Sequence, residues 1–223
     1  MDWSPILISM RTAGLSIVFT FFMGILAAWM VVRISHPLVK TILDGIFTIP
    51  LVLPPTVAGF FLLYVFGVKR PVGQFFLEYF SVKIAFSWGA TVLAAVVMSF
   101  PLMYRSARGA FEQVDQNLVA AARTLGMSEW SIFWKVLIAN AVPGVVSGGV
   151  LAFARGLGEF GATAMIAGNI AGKTRTLPMA VYSEVAAGNM EAAYSYVAII
   201  VVIAFLSVFL MNGAMWYSQK KSR

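Results

Sequence analysis

Cysteine is absent from the 223 residues, and histidine occurs once, as His36. Without a thiol there is no disulfide, no thiolate nucleophile and no cysteine zinc site. A lone histidine removes the usual general base and the common metal-ligand sets. Charge is scarce as well: Asp, Glu, Lys and Arg are 11% of the residues against 60% hydrophobic, with mean hydropathy +0.86. Soluble domains carry about a quarter charged residues, so the solvent of this chain is lipid. The net charge of +7 does not signal nucleic acid, because no basic-aromatic surface stands clear of the apolar runs. Basic residues here mark cytoplasmic loops. No Gly-x-x-x-x-Gly-Lys-Ser/Thr run occurs, so the chain is not itself an ATPase. Asp2 stands where a secretory signal has basic residues, so the first apolar run reads as a span, not a cleavable leader.

What is present is a series of apolar runs. A helical crossing takes about 20 residues, and runs of that kind lie near 12–32, 46–66, 84–104, 141–166 and 194–217. The sequence therefore predicts an all-α membrane protein of about five spans, folded as one domain over 1–223. With the N-terminus outside, the inner segments hold Arg33, Lys40, Arg105, Arg108, Arg123, Lys135, Lys220, Lys221 and Arg223. The outer ones hold Arg11, Lys69, Arg70, Lys83, Arg155, Lys173 and Arg175, a slightly smaller set. That bias and the tryptophans near span ends (Trp3, Trp29, Trp88, Trp216) favour an outer N-terminus and a cytoplasmic C-terminus. Pro50, Pro54 and Pro55 interrupt the second run, Pro101 the third, and Pro143 opens the fourth. Each removes a backbone donor and is expected to kink or end its helix. Gly144 and Gly148 form a small-xxx-small step for close helix approach.

The longest polar stretch, about 112–137, falls in an inner loop and reads as two short helices. Alanine-rich 116–125 favours a helix, Gly126 supplies a left-handed end, and Ser128 offers a cap for the next helix. There Trp130, Phe133 and Trp134 fall at i, i+3 and i+4 on one face. Such a face packs under a bundle or is gripped by a partner groove. Ala120-Ala121-Ala122-Arg123-Thr124-Leu125-Gly126, followed after nine residues by Val136-Leu137-Ile138, resembles the EAA loop of ABC-importer permeases. Ala120 replaces that family's glutamate and Ala139 its proline. The 49–59 stretch with Pro54 and Pro55 resembles molybdate permeases, as do 153–163, Gly168-Asn169-Ile170 and 174–178. Sulfate and tungstate permeases are close relatives. The resemblance implies a MetI-like type I importer fold in a bacterial inner membrane. It implies a homodimer, two ATPase subunits that carry the ATP-Mg, an extracytoplasmic oxyanion-binding protein, and no cofactor on this chain. It also implies that the loop couples to the ATPase, through Ala121, Ala122, Leu125, Gly126, Trp130, Phe133 and Trp134.

Gly156-Leu157-Gly158-Glu159-Phe160-Gly161 matches the dinucleotide pattern G-x-G-x-x-G, but no strand precedes it and it lies in an apolar helix. Its glycines are expected to serve helix approach or a hinge. Arg155 and Glu159, at i and i+4, are charges inside a span, which mark a pathway or a structural pair. They form a pair or gate latch, or Arg155 touches the passing anion with its planar fork. Gly158, Phe160, Gly161 and Thr163 join Pro54 and Pro55 as candidates for the path or gate, and Thr174, Arg175 and Thr176 could add donors at its outer mouth or belong to an ordinary solvated loop. The rival class, an intramembrane enzyme, needs paired carboxylates, a Ser–His or Ser–Lys pair, or metal ligands within spans. Glu159 is the one carboxylate clearly inside a span, so that constellation is missing.

Overall fold

The structure, a computed structural model, describes residues 2–221 and, along the last helix, side chains as far as Leu210. Four helical stretches are each long and apolar enough to cross a membrane. They are α1 (Ser4–Val32), α5 (Trp88–Glu112), the continuous run Glu129–Leu157, and the Met190–Leu210 part of α11 (Met190–Lys221). Helices α2 (Pro37–Val52) and α3 (Pro55–Phe66) meet the same test together, bent by 111° where they join. Shorter helices fill the connections: α4 (Pro71–Phe80), α6 (Gln116–Thr124), α9 (Gly161–Ile166) and α10 (Leu177–Ala186). Glu129–Leu157 consists of α7 (Glu129–Ile132), a π-helical turn over Phe133–Ile138, and α8 (Ala139–Leu157). Among the described residues every regular element is helical.

In lipid, helices associate through close packing and buried polar contacts, since there is no hydrophobic gain between them. The α1–α5 seam follows that rule. Thr12 and Thr91 hydroxyls meet at 2.9 Å, Thr20 and Ser99 at 3.0 Å, and the Trp88 indole donates to Thr12 at 3.1 Å. At Gly24 the helices are so close that a Cβ would stand 2.6 Å from Met103 Cγ. Across α5–α8, Gly144 faces Ala110 and Gly148 faces Ser106, with added Cβ atoms at 2.6 and 2.5 Å from those Cβ atoms. The small-xxx-small step does bring two spans together.

Several boundaries differ from the sequence reading for physical reasons. Helix α1 starts at Ser4, with Pro5 in its first turn and Asp2 accepting from the Ser4 backbone at 2.9 Å. Helix α5 starts at Trp88, capped by the Ser87 hydroxyl, and continues to Glu112. Pro50, Pro101 and Pro143 all lie inside continuous helices, so of the interrupting prolines only the Pro54-Pro55 pair ends one. Near Pro143 the π turn resets the hydrogen-bond spacing, and Asn140 Nδ2 donates to the Val136 carbonyl at 2.7 Å. The second loop helix is not separate, since it runs on into the fourth span. That span ends at Leu157, which leaves Glu159 between helices and residues 161–166 in a different one. The Trp216 side chain and the Lys220-Lys221-Ser222-Arg223 tail lie outside the described side chains.

Candidate functional site

The candidate coupling segment is built by local caps. Asp115 accepts from the Asn117 backbone at 2.9 Å and starts α6. Gly126, at φ +75°, ends it: its N–H reaches Arg123 O at 2.9 Å, and Met127 N–H reaches Ala122 O at 3.1 Å. That pair of bonds is the Schellman arrangement, which a residue with a Cβ adopts at a cost. Ser128 then caps α7 by accepting from Ser131 N. Val119 and Ala122 point into the main core with Phe111 and Phe133. The adjoining side exposes Leu118, Ala121 and Leu125, the last at 81%. These sit at i, i+3 and i+7, a short apolar stripe with no cover in this chain.

The seven residues grouped by sequence separate into three roles. Ala121, Leu125 and Gly126 lie on the exposed side of α6. Ala122 and Phe133 are buried, and Phe133 packs on Trp29 at 4.8 Å and on Phe111 at 6.2 Å between ring centroids. Phe133 therefore props the segment from within and is not a contact surface. Trp130 and Trp134 stay half-exposed beside Phe21, Phe22 and Leu26, in an apolar groove of about 440 Å³ against α1. Leu118 joins the stripe by its spacing to Leu125, a signal carried by the sequence as well. The fold adds Glu129, which accepts from Arg123 Nε at 2.8 Å and lies 3.3 Å from Arg33 Nη2. It ties α6 to the end of α1. A Gly126→Ala change meets open space, so its cost is the left-handed backbone alone. We expect about 1–2 kcal/mol in thermal stability of the purified chain.

The candidate gate is a junction between the broken α2–α3 pair and the chain that restarts as α9 after the fourth span. Pro54 cannot donate and Pro55 opens α3, while α8 ends at Leu157 and α9 begins at Gly161. The two restarts lie against each other: a Cβ on Gly59 would stand 2.6 Å from Ala162 Cα, and one on Gly161 2.8 Å from Pro55 Cβ. The cluster around this fit holds Ala58, Ala90, Ala94, Ala162 and Ala167 together with the larger Met98 and Ile166. Glu159 fills the gap before α9 with its side chain only 1% exposed. Its Oε1 accepts from Ala162 N at 2.7 Å, and its Oε2 is 2.7 Å from Arg155 Nη1. The second contact is an ion pair without hydrogen-bond alignment, so charge carries it. Arg155 keeps 28% of its side chain exposed. Phe160 packs on Tyr182 of α10 at 5.4 Å.

Of the residues grouped by sequence, the fold sets Gly161 against Pro55 and links Arg155 to Glu159 and Glu159 to the start of α9, while Phe160 packs away on α10 and Gly158 meets only its own helix. Thr163 is buried at this junction, and the donors imagined at an outer mouth are mostly not free. Thr174 is fully buried and bonded within its own loop, to Ile170 N and Gly168 O. Thr176 is buried as well, and Arg175 donates to Asn169 at 2.9 Å. The loop is ordered at its base and exposed over 169–173, and the buried Thr176 hydroxyl has no hydrogen-bond partner among the described residues.

Residues 20–223 match the family described as "Binding-protein-dependent transport system inner membrane component". The chain is 42% identical over 222 residues to the molybdenum transport system permease protein ModB of Escherichia coli K12, covering 99% of this chain and 96% of that one. It is 42% identical over 211 residues to the putative molybdenum transport system permease protein YvgM of Bacillus subtilis, covering 94% and 92%. The sulfate transport system permease protein CysT of Escherichia coli K12 is 32% identical, covering 92% and 73%. The fold resembles a chain of the MetNI methionine ABC transporter, with TM-score 0.73 at 17% identity, covering 96% and 94%. It also resembles one of a bacterial ABC transporter for alginate import, with TM-score 0.79 at 14% identity, covering 96% and 78%. The apolar spans, the capped loop helix and this match together make the chain a member of the binding-protein-dependent transport system inner membrane component family, a multi-pass protein of the inner membrane.

Proposed function

We propose that this chain is the permease subunit of an ABC importer that carries molybdate inward across the cytoplasmic membrane. The observation that carries the reading is the 42% identity to the ModB permease over 99% of the chain, against 32% to the sulfate permease. Two copies form the path, with the N-terminus outside and the C-terminus in the cytoplasm. Two ATPase subunits hold the ATP-Mg, and an extracytoplasmic oxyanion-binding protein delivers the cargo. The chain itself takes no cofactor and does no covalent chemistry. Within one permease domain, the segment 112–137 receives the ATPase, and rigid-body rocking alternates access between the two sides. Proteoliposomes holding the complex and its binding protein test this. Molybdate uptake driven by internal ATP, poorly competed by sulfate, is the expected result. Sulfate uptake equal to or better than molybdate overturns the choice of cargo.

The ATPase contact has its own test. Leu125 is almost wholly exposed, so Leu125→Glu leaves the stability of this chain within about 0.5 kcal/mol. A leucine buried in a partner groove contributes roughly 1.5–3 kcal/mol, so the ATPase subunit binds about tenfold or more weakly to the variant. Co-purification in graded detergent washes reads this directly. Undiminished recovery of the ATPase removes α6 as its docking helix.

A further inference from the structure

Most cations on the α6 side of the bundle are already paired. Arg108 holds Asp44 and bonds Glu112 at 3.1 Å, Lys40 reaches Glu112 at 2.9 Å, and Arg33 and Arg123 share Glu129. Arg105, one turn from Arg108 on α5, is different. Among the described residues it has no carboxylate within ion-pair distance. Asp44, whose charge it also feels, is occupied by Arg108 and by the Tyr104 hydroxyl at 3.0 Å. Arg105 lines a polar groove of about 630 Å³ between the end of α5 and the start of α8, beside Ser106, Gly109, Gln113 and Asn140. The groove runs alongside the tight α5–α8 contact, since Ala110, Gly144 and Ser106, which meet in that contact, also line it. Asp115 stands at its rim, with its carboxylate turned to capping α6.

We infer that this groove is a weak oxyanion site on the α6 side of the path, with the Arg105 guanidinium as its cation and Ser106 and Gln113 as neutral donors. The inference rests on the permease reading and adds an unpaired cation apart from Arg155, whose charge is offset by Glu159 at 2.7 Å. A planar guanidinium suits a tetrahedral oxyanion. One unpaired arginine, offset by an acid at the rim, attracts the ion without trapping it, which conduction requires. The same chemistry would receive the phosphate of an anionic lipid, so the test separates the two sources.

The absence of cysteine makes the test direct. A Cβ on Gly109 meets nothing within 4 Å, so Gly109→Cys places a thiol in the groove, and Gln113→Cys is a second reporter should the first fail to assemble. In the complete complex in neutral detergent, the thiol is labelled with an anionic and with a cationic methanethiosulfonate. The anionic reagent is expected to react faster, and Arg105→Gln to lower that ratio by about tenfold, the order expected for one charge acting through partly aqueous surroundings. Arg105→Lys restores most of it. Millimolar molybdate slows labelling, while short-chain phosphatidylglycerol does not. A ratio unchanged by Arg105→Gln, or protection by the lipid alone, overturns the inference even where the unmodified complex still transports molybdate. Failure of the unmodified complex to transport molybdate would instead strike the permease reading.

Discussion

Glu159→Ala is expected to destabilise the purified chain by about 3–5 kcal/mol, the cost of breaking a buried ion pair from one side. Two losses add. Arg155, little more than a quarter exposed, is left without its counter-charge, and the first turn of α9 loses the acceptor for Ala162 N–H. Glu159→Gln separates them, because an amide oxygen still accepts from Ala162 while the charge is gone. Stability should therefore fall in the order wild type, Gln, Ala, read as the midpoint of thermal unfolding in detergent. Arg155→Met alone is also costly, since it strands the buried carboxylate. The double replacement Arg155→Met with Glu159→Met should recover much of the loss, because well-packed apolar residues often replace a buried pair without penalty. Uptake by that double variant decides between the two readings of the pair. Transport retained alongside stability means a structural pair, and transport lost from a stable protein means that the pair acts in transport, as a gate latch or through Arg155 meeting the anion.

Local chemistry was legible and long-range chemistry was not. Gly126 and Ser128 were readable as caps because a cap is set by a few neighbouring residues, and both form as expected. The spans were readable because apolarity over about 20 residues has few other uses. Gly144 and Gly148 gave a packing step whose partners, Ala110 and Ser106, no pattern names. The 111° bend between α2 and α3 needs the α3–α9 contact to hold it. Nothing near Pro54 in sequence says that Gly161 lies there. Trp130 and Phe133 share a helix face by spacing, yet α1 passes beside them and buries one while leaving the other at the groove. Glu159 looked like a charge inside a helix because its neighbours are apolar. It stands between helices because α8 stops at Leu157 and the carboxylate takes over the start of the next helix.

Gly59→Ala is the second change expected to act strongly, although it adds one carbon. In a helix this substitution ordinarily gains about 1 kcal/mol from backbone entropy. Here the new carbon would stand 2.6 Å from Ala162 Cα and 2.8 Å from Ala162 O, both backbone atoms of α9. Backbone cannot rotate away as a side chain does, so α3 and α9 must part by several tenths of an ångström. Overpacking of that kind costs roughly 1–3 kcal/mol, which outweighs the propensity gain, and Gly59→Leu should prevent the two helices from docking at all. Gly45→Ala, where nothing lies within 4 Å, is the matched control and should be neutral or slightly stabilising. The same thermal measurement in detergent checks both. A Gly59→Ala protein as stable as the control would mean that α3 and α9 do not meet as described. Combining Gly59→Ala with Glu159→Gln carries the argument one step further. Both act on the start of α9, through its backbone at Ala162, so their effects should not add, as holds for residues that share a partner. Less than additive loss would show that the proline break and the glutamate are one junction: once Ala162 has been pushed out of place, the carboxylate has less left to hold.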